Sequence, residues 1–132
     1  MDIWGKICRF FKKVHSKEEN VLIINSPHIN YSSLLKERQY IYLLQEREFI
    51  KTDENIYKIG KTTQEPLKRM SQYPKGSKIL LILCVDDCHQ SEKKMLQIFD
   101  KKFNQRKDIG REYYSGNVVL MINTIIQNIY QV

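Results

Sequence analysis

Tyr40-Ile41-Tyr42-Leu43-Leu44 and Tyr57-Lys58-Ile59-Gly60-Lys61-Thr62 decide the fold of this chain. Each is a short run of apolar and aromatic residues, and each reads as a β-strand, the first over 40–44 and the second over 56–60. Gln45-Glu46-Arg47-Glu48 and Lys51-Thr52-Asp53-Glu54-Asn55 lie between them and read as the hairpin connection. A hairpin with a tyrosine on each strand and Gly-Lys at its exit gathers phenol hydroxyls beside a cationic turn, which suits a phosphate.

Downstream, Thr62 is followed three residues later by Glu65 and then by Pro66, the pattern of a capping box with proline in the first helical turn. Leu67 and Met70 face inward, and Tyr73-Pro74-Lys75-Gly76 stops that helix. The unbroken apolar run over 79–85 is expected to be a central strand buried on both faces. Asp87 with Gln90 three residues on starts a helix through about Phe103, with Met95, Phe99 and Phe103 along one stripe. Glu92 sits near that stripe, where a carboxylate needs a partner if buried; the alternative is a solvated residue that stabilises the helix N-terminus. Asn117 caps a last helix that carries no charge, so that a broad face of it packs into the core or into an oligomer interface.

Upstream of 38 the chain reads differently. Ile3, Trp4, Ile7, Phe10, Phe11 and Val14 recur at helical spacing with lysines and an arginine on the other faces. Residues 1–37 are therefore an amphipathic helix and a linker, with Val21-Leu22-Ile23-Ile24 a short strand or a tether. Residues 38–132 form the compact domain. The expected class is α+β, with a three-stranded, mostly antiparallel sheet flanked by helices.

A chain of 132 residues with 42% hydrophobic and 28% charged residues holds one core and is globular rather than disordered. Its net charge of +7 favours polyanionic partners, nucleic acid before an anionic membrane surface. No apolar stretch reaches the roughly 20 residues that span a bilayer. The three cysteines, Cys8, Cys84 and Cys88, are an odd number with no secretory signal, which points to free thiols and an intracellular, not secreted, protein. Cys84-Val85-Asp86-Asp87-Cys88-His89 lacks a second ligand pair at zinc spacing, so core packing is the reading for both thiols.

Taken in order, Tyr40-Ile41-Tyr42, Tyr57-Lys58-Ile59-Gly60-Lys61-Thr62, Arg69 and Glu92 resemble the GIY-YIG nuclease superfamily. The likeness spans about 39–114 and is closest to the branch of phages and large DNA viruses whose second motif reads Tyr-Lys-Ile-Gly. The resemblance implies a GIY-YIG-like fold and a metal-dependent endonuclease that hydrolyses DNA phosphodiester bonds. It implies Tyr42 and Tyr57 as the phenols that activate and order the attacking water. Arg69 stabilises the charge developing on phosphorus, and Glu92 holds one Mg2+ or Mn2+. Lys61, Lys68, Lys75, Arg106 and Arg111 would contact DNA phosphates, and Glu112 lies in an Arg-Glu-Tyr-Tyr segment like one common in that branch. The chain departs from the pattern at Tyr40, where the first motif has glycine, and at Leu96, where the branch often has histidine. The alternative is a catalytically inactive module of the same fold that binds nucleic acid or regulates. No small-molecule cofactor is implied. The terminal helices are candidate contacts for a second copy or a partner protein.

Overall fold

A computed structural model describes residues 23–24 and 38–130. The expected N-terminal amphipathic helix over 2–14 lies outside the described residues. In chain order the elements are β1 (Ile23–Ile24), β2 (Gln39–Gln45), α1 (Arg47–Lys51), β3 (Ile56–Thr62), α2 (Pro66–Met70), β4 (Lys78–Val85), α3 (Cys88–Lys102), β5 (Asn104–Gln105), β6 (Tyr113–Ser115) and α4 (Val118–Tyr130).

The class is α+β, but the sheet is larger than three strands. Its order is β1-β4-β2-β3-β6-β5. The five strands from β4 to β5 run antiparallel, and the two-residue β1 adds in parallel along β4, Ile23 opposite Ile82. The extra strands β5 and β6 are two and three residues long, too short for period-2 alternation to show in the sequence.

Strand alternation splits the core into two layers. Ile41, Leu43, Tyr57, Ile59, Leu81 and Leu83 face α3 and α4, where they meet Met95, Phe99, Met121 and Ile125. Tyr40, Tyr42, Leu44, Ile82 and Cys84 face the other way and are covered by Met70, Tyr73 and Ile79. Phe99 and Met95 are fully buried, and each such side chain stabilises the fold by about 1.5–3 kcal/mol. Both thiols pack in these layers, Cys88 in the first and Cys84 in the second.

The long helices begin where the sequence places them. Asp87 takes the N–H groups of His89 and Gln90 on one carboxylate oxygen, and Asn117 takes that of Leu120, each satisfying orphan donors of a first turn. The start of α2 differs. Glu65 itself is the cap and accepts from Lys68 N, while Thr62 turns inward along β3 and accepts from Gln64 N. The connection between β2 and β3 contains the one-turn helix α1 and returns through Asp53 at φ +55°.

Candidate active site at the open rim of the third strand

Tyr42 lies opposite Gly60 across the β2–β3 ladder. A Cβ on Gly60 would collide with the Tyr42 ring and hydroxyl, so only glycine lets the phenol lie flat across β3. The ring is buried, and its hydroxyl shares a 2.6 Å hydrogen bond with the hydroxyl of Tyr73. Arg69 Nη2 donates to the same Tyr73 hydroxyl at 3.5 Å, with the guanidinium 5.2 Å from the Tyr73 ring centroid. The helix α2 and the turn after it thus place a guanidinium and a second phenol over the first.

Two residues back from Gly60 along β3, Lys58 projects on the same face. Its ammonium lies 5.3 Å from the Tyr73 ring and 5.4 Å from the Tyr113 ring, within cation–π range of both. It pairs with Glu112 Oε2 at 3.4 Å. Tyr113 in turn donates to Glu46 Oε1 at 2.5 Å. Tyr42, Tyr73, Arg69, Lys58 and Glu112 therefore converge on one side of the sheet.

The other side holds a second, smaller group. Lys61 faces α3 and donates to Glu92 Oε1 at 2.9 Å. The Glu92 side chain is 8% exposed, and its Oε2 is buried with no hydrogen-bond partner among the described residues. The two groups meet at a rim. β6 pairs with β3 only from Ile56 to Lys58, Ile59 N then donates to Glu112 O, and among the described residues no strand covers that edge at 60–62. Glu112, whose carbonyl takes the Ile59 N–H, is the last residue before β6 to touch β3, and its charge acts on Lys61 as well as on Arg69 and Tyr73.

Electrostatics fix the protonation states. Burial, then the hydrogen bond shared with Tyr73, pushes the Tyr42 phenol well above its ordinary value, and Arg69 only partly offsets this. Burial likewise raises Tyr73. Both phenols are neutral hydrogen-bond donors near pH 7, and Tyr42 is not poised as a base. Lys61 is raised by its hydrogen bond to Glu92, against the opposing effect of burial.

Tyr42, Tyr57, Arg69 and Glu92, which the resemblance assigns to one catalytic site, are thus divided. Tyr42 and Arg69 share a face, whereas Tyr57 and Glu92 lie on the opposite one. The reason is the period of the strand: 58, 60 and 62 share the face of Tyr42, and 57, 59 and 61 share that of α3. Tyr57 is buried in the core layer, its hydroxyl 3.4 Å from Asn55 Oδ1. Lys58, Tyr73 and Glu112 are the residues that motif reading passed over or left without a role. Counting back two from Gly60 finds the first.

The expected phosphate contacts also divide. Lys68 and Lys75 are exposed, and among the described residues no ion pair ties them. Arg106 is held by Asp108 through two bonds of 2.9 and 2.7 Å. Arg111 is forked onto Asp100 and donates at 2.6 Å to the buried Tyr114 hydroxyl, which locks β6 to α3. Two surface hollows, of about 450 Å³ beside Arg111 and about 250 Å³ beside Cys84, lie elsewhere. Among the described residues no helix is long and apolar enough to cross a membrane.

The fold and rim define a small α+β domain with phenols, cations and carboxylates gathered around one strand end. The chain belongs to the T5orf172 domain family, whose model matches residues 39–129. This corrects the expected membership of the GIY-YIG superfamily: the matching family is a different one, and no GIY-YIG model matches. No curated protein and no solved structure matches the chain.

Proposed function

We propose that this T5orf172 domain is a divalent-cation-dependent endonuclease that hydrolyses DNA phosphodiester bonds at the rim of β3. The observation that carries the reading is the convergence of Tyr42, Tyr73, Arg69, Lys58 and Glu112 on one face. The Tyr42–Tyr73 bond spends one phenol proton, which leaves one phenol, a guanidinium and an ammonium as donors, and a phosphodiester offers only acceptors. Arg69 and Lys58 neutralise the charge that builds on the phosphoryl oxygens, and the remaining phenol proton orients one of those oxygens by a hydrogen bond. The phenol pair needs no rearrangement to do so, because Gly60 fixes the Tyr42 ring and the Tyr42 hydroxyl fixes that of Tyr73 beforehand.

The residues present fit a cation. Glu92 keeps one buried oxygen without a donor among the described residues, and Glu112 is a part-exposed carboxylate beside Lys58. A single carboxylate or two, completed by water and phosphate oxygens, is a usual seat for Mg2+. When bound there, Mg2+ or Mn2+ would supply Lewis-acid polarisation of the phosphate and a hydroxide source near neutral pH. Lys68 and Lys75 supply phosphate contacts that carry no base readout.

A second reading is a nucleic-acid-binding module without catalysis. The placement of Glu92 across the sheet from Tyr42 favours it, as does a Tyr42 phenol too weakly acidic to be a base. Supercoiled-plasmid nicking in Mg2+ or Mn2+ separates the two. The wild type nicks, and Arg69→Ala and Glu112→Gln do not. Equal background nicking by all three removes the hydrolase, and salt-sensitive DNA binding without nicking supports the module.

A further inference from the structure

Both carboxylates at the rim already carry a lysine. Lys58 sits on Glu112 at 3.4 Å, and Lys61 sits on Glu92 at 2.9 Å. The second pair is unusual in one respect. A buried ion pair holds its desolvated atoms by filling every remaining lone pair, yet Glu92 Oε2 is buried and takes no hydrogen bond among the described residues. The half-satisfied carboxylate faces Lys61, whose side chain is 34% exposed. A doubly charged ion on the two Glu92 oxygens satisfies what a singly charged ammonium on one of them leaves unmet.

We propose that Lys61 and Glu92 form an exchangeable ion pair. A divalent cation docks on Glu92 and displaces the Lys61 ammonium, which turns along its four-carbon stem to the rim and grips a nucleic-acid phosphate. The ammonium that blocks the cation in the free protein becomes a phosphate ligand in the loaded one. Cation and nucleic acid therefore bind cooperatively, and by linkage each tightens the other by the same factor. The phosphate partner rests on the function proposed above, whereas the competition between Lys61 and the cation does not.

The test uses the full chain and two binding measurements. Mn2+ binding is measured by calorimetry without DNA, and binding of a fluorescent 20-base-pair duplex by anisotropy in Mn2+ or in EDTA, with intact duplex verified on a gel. For the wild type Mn2+ tightens duplex binding about tenfold, within the usual range of coupling. Lys61→Met binds Mn2+ tighter than the wild type and loses the Mn2+-dependent gain. Lys61→Arg keeps the gain, and Glu92→Gln, whose amide still accepts from Lys61, loses Mn2+ binding with a normal melting curve. The exchange is overturned if Lys61→Met binds Mn2+ no tighter than the wild type, or if its duplex affinity still rises with Mn2+. If Lys61→Met does not fold, Glu92→Gln decides: Mn2+ affinity equal to the wild type overturns the exchange. A wild type that nicks plasmid without this coupling loses the exchange and keeps the hydrolase, and one that couples without nicking does the reverse.

Discussion

Replacing Gly60 with alanine tests how the phenol is held. The added methyl falls on the Tyr42 ring and hydroxyl, and the surroundings give little room, because Tyr42 is 1% exposed and lies between Ile82 and Gly60. Overpacking of this kind costs about 1–3 kcal/mol. Pushing the ring aside also breaks the 2.6 Å bond to Tyr73, which adds about 0.5–1.5 kcal/mol. The sum is about 2–4 kcal/mol, which lowers the melting temperature of a domain of this size by roughly 10–30 °C. Circular dichroism melting of Gly60→Ala, Tyr42→Ala and the double variant gives the answer as a cycle. The double variant should be more stable than the two single losses predict, because Tyr42→Ala empties the space that the new methyl needs. A Gly60→Ala protein that melts within a few degrees of the wild type, or strictly additive losses, would refute the close approach.

The buried tyrosines set an alkaline limit. Burial, then the hydrogen bond to Asp100, pushes Tyr114 up to about 12 from 10.0, and Tyr42 and Tyr113 are also raised, each chiefly by burial. Raised folded-state values mean that the unfolded chain loses these protons first. The stability they contribute is thus fully present below pH 10 and falls as pH rises from 10 towards 12. Urea unfolding between pH 9 and 11.5 should show that decline, with a shallower slope for Tyr114→Phe, whereas identical slopes would count against it. For DNA, Lys68→Gln and Lys75→Gln should each lower the slope of log affinity against log salt by about 0.9, as the loss of one phosphate contact does. Arg106→Gln, whose guanidinium is taken by Asp108, should leave that slope nearly unchanged. Anisotropy at four salt concentrations measures all three.

What could be read in the sequence was whatever had length or a local partner. The apolar run of β4, the Asp87 cap of α3 and the Asn117 cap of α4 each announce themselves within a few residues. β5 does not, and Arg111-Glu112-Tyr113-Tyr114 reads only as a short strand or a turn where β6 lies, since two- and three-residue strands exist only by pairing with chain far away. The site shows the same limit. Motif likeness singles out Tyr42 and Arg69, and these two lie on one face, because Tyr42 pairs across from Gly60 and Arg69 follows on the next helix. Tyr57 attracted notice as an aromatic, yet one residue of register sends its side chain to the core. Nothing local marks Lys58, whose setting is made by two ring neighbours distant in sequence, Tyr73 and Tyr113. Glu112 depends on where β6 stops, which no local pattern records.

Plasmid nicking by Lys58→Met beside Tyr57→Phe, at equal fold stability and in saturating Mn2+, probes the strand-face assignment most directly. The proposed site predicts that Lys58→Met loses about a hundredfold or more in rate, as removal of one charge-stabilising donor does, while Tyr57→Phe nicks like the wild type. A Tyr57→Phe protein that is dead beside a fully active Lys58→Met would place the chemistry on the other face of the sheet and contradict it.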